Sequence, residues 1–104
     1  MQYDKLVRDR IPEVLLSKGL TPHTVQVTGQ HYLAYLKQKL LEEAQEFADS
    51  DNSLEELADI YEVFQALLSH LDISQSQLEA VALKKREERG GFAEGIVLKS
   101  VEPA

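Results

Sequence analysis

A chain of 104 residues, 43% hydrophobic and 28% charged, has the make-up of one ordinary globular domain, and residues 1–104 are read as such. The absence of cysteine excludes disulfides, thiolate metal sites and cysteine nucleophiles. A formal net charge of −7 argues against gripping a nucleic acid duplex by its phosphates.

The N-terminus MQYDKLVRDR has no apolar run of the signal-peptide kind, and no stretch is long enough to span a membrane. A cytoplasmic protein without a membrane partner is therefore expected. A small anionic ligand stays compatible with the charge, because basic residues cluster at Lys5–Arg10 and Lys84–Arg89.

In chain order, LVRDRIPEVLLSKG predicts a helix of two to three turns, with Pro12 in its first turn and Gly19 as its stop. His23–Thr28 alternates Val25 and Val27 with polar residues, which suits a short strand or extended arm. From about Gly29 to Asp49, Leu33, Leu36, Leu40, Ala44 and Phe47 fall on one helical stripe. Glu43 lies about 20° from Leu36 on that wheel, at the shoulder of the stripe, and Glu46 lies further round beside Lys39 and Tyr35.

A capping-box pattern, Ser53 followed three residues on by Glu56, starts a second long helix that should reach about Leu71. Its apolar residues cover most of the wheel, more than one small chain buries. Ser74 to Gln77 repeats the pattern and starts a third long helix, Gln75 to about Arg89, with Leu78, Val81, Ala82 and Lys85 facing inward. Gly90-Gly91 ends it, with Phe92 placed to fold back on the helix. Ile96-Val97-Leu98 predicts a short strand or extended tail, so extended segments are expected near residues 23–28 and 96–101 of an otherwise all-α chain.

The chemistry concentrates between Glu42 and Glu62. Glu43/Glu46 and Glu56/Asp59 are two carboxylate pairs at helical spacing, separated by a break at Asp49–Ser53. Gathering four acids costs repulsion and desolvation, and a hard divalent cation is the usual compensation. The plainer readings are solvated helix faces and, for Glu56, a cap. Likewise Lys5, Arg8 and Arg10 serve equally as surface charges, and KKREER as the salt-bridged end of a helix. The three histidines show no paired spacing, and no GxSxG, Walker-type loop or GxGxxG occurs.

Glu43-Ala-Gln-Glu46 with Glu56-Leu-Ala-Asp59 resembles the ExxE…ExxD pattern of the MazG-like all-α nucleoside triphosphate pyrophosphohydrolases. KLVRDRIPE (Lys5–Glu13) and KREERGGF (Lys85–Phe92) resemble the small subgroup of that family with an LVRDKIPE-like N-terminus. The resemblance covers nearly the whole chain. It implies a helical bundle completed as a homodimer or homotetramer, and cleavage of a (d)NTP to (d)NMP and pyrophosphate. It implies Glu43, Glu46, Glu56 and Asp59 as ligands of Mg²⁺ (or Mn²⁺). Glu42 or Glu46 would take the proton of the attacking water, and the sequence does not choose between them. Lys5, Arg8, Lys85 and Arg89 would cradle phosphates. The gap between the acid pairs is short for that family, which implies a tight hairpin. Two other classes remain: a nucleotide-binding or regulatory helical module without turnover, and a structural helical oligomer with solvated acids.

Overall fold

The computed structural model describes residues 4–104, and among them the chain is all-α. Four helices follow in order: α1 (Ile11–Ser17), α2 (Gly29–Asp49), α3 (Leu54–His70) and α4 (Gln75–Arg89). No hydrogen-bonded strand occurs among the described residues, so 23–28 and 96–101 are coil. The described residues fall into two compact units, one running to Asp72 and the other from Ile73 to Ala104. None of the helices is long and apolar enough to cross a membrane.

In the first unit, packing between helices is concentrated on the α2–α3 hairpin. Leu36 of α2 and Val63 and Leu68 of α3 are its buried apolar residues. Between the helices, Asn52 takes a left-handed φ of 59°, a conformation that asparagine tolerates. α1 ends as its sequence implies. Gly19 has a φ of 80°, its N–H donates to the Leu16 carbonyl, and the Leu20 N–H reaches back to Leu15, which is a Schellman closure.

The segment before α1 is tied to both helices of the hairpin. Tyr35 of α2 donates its hydroxyl to Asp4 at 2.5 Å, and Arg8 reaches Asp59 of α3 at 2.7 Å.

In the second unit, Ser74 and Gln77 complete a reciprocal capping box at the start of α4. The expected inward face is not covered. Leu78 is half-buried, whereas Val81, Ala82 and Lys85 are exposed, because this unit holds no second element for α4 to pack against. Phe92 does not fold back either, and its residue is wholly exposed. The cause lies at Gly90. Its φ of 81° is left-handed, but its ψ of 179° is extended, so the chain leaves the helix without the backward turn that a Schellman cap makes. Phe92 instead opens a turn closed by the Gly95 N–H on its carbonyl.

Candidate metal centre

The helical hairpin brings the acids together. α2 carries Glu42, Glu43 and Glu46, α3 carries Glu56 and Asp59, and the turn between them decides which carboxylates are free. Ser50 is its centre. Its hydroxyl donates to the Phe47 carbonyl at 2.7 Å and accepts the Ser53 N–H at 3.2 Å. Ser53 in turn accepts the Glu56 N–H at 3.3 Å. The expected capping box is thus only half made: Ser50, and not the Glu56 side chain, satisfies the Ser53 N–H. Glu56 caps with its backbone and keeps its carboxylate for the cluster.

Glu43, Glu46 and Glu56 each offer an oxygen, and these oxygens all lie within 4.8 Å of one another. Glu43 is buried at 6% exposure, Glu56 is half-buried and Glu46 faces water. Glu43 Oε2 and Glu56 Oε2 are buried without a hydrogen-bond partner. Leaving such atoms unpaired is costly, more so for charged groups. Glu43 is the main cause of a proton affinity at Glu46 above the ordinary carboxylate value, because it would accept a hydrogen bond from protonated Glu46 and repels the ionised form; burial and Glu56 add to it.

Oxygen donors of this kind suit a hard divalent cation. Three carboxylates converging from two helices, one of them buried, are the donor chemistry that such a cation takes. The residues fit the group.

Asp59 lies outside this trio among the described residues, and its carboxylate takes the guanidinium of Arg8. Glu42 faces Lys39, with its Oε2 3.6 Å from Nζ. Lys39 is the site residue that sequence reasoning left out. The helical wheel puts it beside Glu46, yet its Nζ bonds Glu43 Oε1 at 3.1 Å. Helix side chains lean toward the N-terminus, so Glu43 reaches back to the residue four before it. Burial works against the Lys39 ammonium, but the hydrogen bonds and charges of Glu43 and Glu42 outweigh it and raise its pKa above the ordinary value.

The expected phosphate-binding residues divide between the units. Lys5 and Arg8 belong to the first, where Lys5 is exposed. Lys85 and Arg89 sit in the last turns of α4, where with Arg86 and Phe92 they line an open cleft of about 480 Å³.

No protein-family model matches the chain, and no solved structure matches it. The chain is 31% identical over 100 residues to Increased recombination centers protein 6 of Clavispora lusitaniae, an alignment that takes in 95% of this chain. It spans about a third of that relative's length, 34%.

Proposed function

We propose that this chain is a divalent-cation-dependent nucleoside triphosphate pyrophosphohydrolase of the MazG-like kind, cleaving a (d)NTP to (d)NMP and pyrophosphate. The observation that supports the reading best is the carboxylate trio Glu43, Glu46 and Glu56, with two of its oxygens buried and unpartnered. Mg²⁺, or Mn²⁺ in its place, would supply Lewis acidity toward phosphate oxygens and water. Glu43 and Glu56 would hold the cation from the two helices. Glu46, the exposed member, is best placed to accept the proton of the attacking water, while Glu42 is engaged with Lys39. Water's oxygen forms one new bond to phosphorus, the α–β anhydride bridge breaks, and pyrophosphate leaves. Lys5 and Arg8, which belong to the same unit as the trio, are the cations assigned to the phosphates. Removal of non-standard nucleotides from cytoplasmic pools by a homo-oligomer is the role that goes with this chemistry.

One observation favours a second reading, a nucleotide-binding or regulatory module without turnover. Arg8 and Asp59 neutralise each other at 2.7 Å, which withdraws one expected ligand and one expected phosphate contact. Phosphorus NMR of the products formed from a panel of (d)NTPs with Mg²⁺ separates the two. Monophosphate plus pyrophosphate is the expected result. Diphosphate plus orthophosphate overturns the assignment, and bound but intact nucleotide selects the second reading.

A further inference from the structure

We propose that Lys39 is a positioning residue of the cation site: it holds Glu43 through Oε1 so that Oε2 stays available to the cation. The inference rests on the carboxylate trio being a cation site. Its geometry is specific. Nζ lies 3.1 Å from Glu43 Oε1 and 3.6 Å from Glu42 Oε2, and the Lys39 side chain is only 17% exposed. Glu43 is 6% exposed, and Oε2 has no partner, so one oxygen of a buried carboxylate is committed and the other is left over.

A helix-stabilising salt bridge does not explain this arrangement. Such pairs belong on solvated faces and favour Glu four residues before Lys, whereas here Lys precedes Glu. Nor is Lys39 there to complete a neutral, satisfied network, since the cluster keeps two buried oxygens unpaired. An ammonium on one oxygen fixes the rotation of the carboxylate plane, which is what groups behind metal ligands do.

The inference makes an opposite prediction to simple electrostatics. Removing a positive charge from beside a cation site should tighten cation binding. Removing a positioning group should weaken it, typically by about 10–100-fold.

The test is titration of the full chain with Mn²⁺ alone, read by electron paramagnetic resonance of the free ion, so that no turnover is needed. Lys39→Met is expected to weaken binding at least tenfold. Lys39→Arg, which keeps a donor within reach of Glu43, is expected to stay within about threefold of the parent, well short of the typical loss of an outer-shell partner. Lys39→Leu, which likewise has no donor, serves if the Met variant does not fold. Wild-type binding that persists or tightens in the neutral variants overturns the role of Lys39 and leaves the cation site standing. No saturable binding by the parent chain overturns the site, and the role of Lys39 with it.

Discussion

At Glu46 the acid cluster meets water, and two consequences follow from its raised proton affinity. In the cation-free protein the neighbours of Glu46 favour its protonated form. The stability it brings is complete below the ordinary carboxylate value and is lost as pH rises through the raised folded value. Glu46→Gln should therefore melt higher than the parent near neutral pH without added cation, and that advantage should shrink as the pH falls through this window. The same variant should lose about 10²–10⁴-fold in turnover as a missing proton acceptor. Melting curves against pH and initial rates check both.

Tyr35 offers a second titration, away from the cluster. Its hydrogen bond to Asp4 is the main cause of a pKa above the ordinary 10.0, with the charge of Asp4 and burial adding. The stability held there is full below 10.0 and is lost as pH rises through the raised value. Tyr35 should ionise late in an ultraviolet titration, and Asp4→Asn should bring it forward. A curve unchanged by that substitution would mean that the N-terminal segment does not dock on α2 in solution.

Among the elements, the α2–α3 turn governs the site more than either helix does. Ser50→Ala removes the acceptor for the Ser53 N–H and leaves that donor to the Glu56 carboxylate, completing the capping box. The substitution also gives up the hydroxyl's bond to the Phe47 carbonyl, so stability should fall by about 0.5–1.5 kcal/mol, while cation affinity falls about tenfold because Glu56 has been drawn away. Calorimetry on the same sample reads both quantities. The turn also marks the limit of what was legible in the sequence. Helical periodicity and the serine caps placed α2, α3 and α4, and the position of Glu43 beside Leu36 foretold a buried acid. Those are local signals. That Ser50 displaces Glu56 from its cap and that Arg8 takes Asp59 depend on a loop path and on a contact between distant segments, which no period or spacing encodes, whereas the Lys39–Glu43 pair stands at the i,i+4 spacing of one helix and was open to reading. Phe92 misled for a related reason. A glycine pair announces the end of a helix, but the direction of exit depends on ψ.

Seen whole, the chain keeps little of its apolar surface from water. Leu36, Val63 and Leu68 are the buried hydrophobic residues described, while Leu54, Leu57 and Tyr61 form an exposed stripe at helical spacing on α3. Covering each such side chain is worth about 1.5–3 kcal/mol, which makes self-association the expected state. Sedimentation should give a multiple of the 11.7 kDa chain mass, and Leu54→Glu with Leu57→Glu should return it to 11.7 kDa. A parent chain that sediments at 11.7 kDa at micromolar concentration removes the oligomer from the proposal. The hairpin has one further consequence, in the order of folding events. Glu43 and Glu56 stand close together in the sequence, and closing loops of roughly ten residues takes only about 10–100 ns. The carboxylates should therefore converge early, so that their repulsion is felt in the folding transition state. A divalent cation should relieve it there, accelerating the folding arm of a chevron while the unfolding arm moves little. The ion would thus act as a catalyst of the chain's own assembly before it serves any reaction.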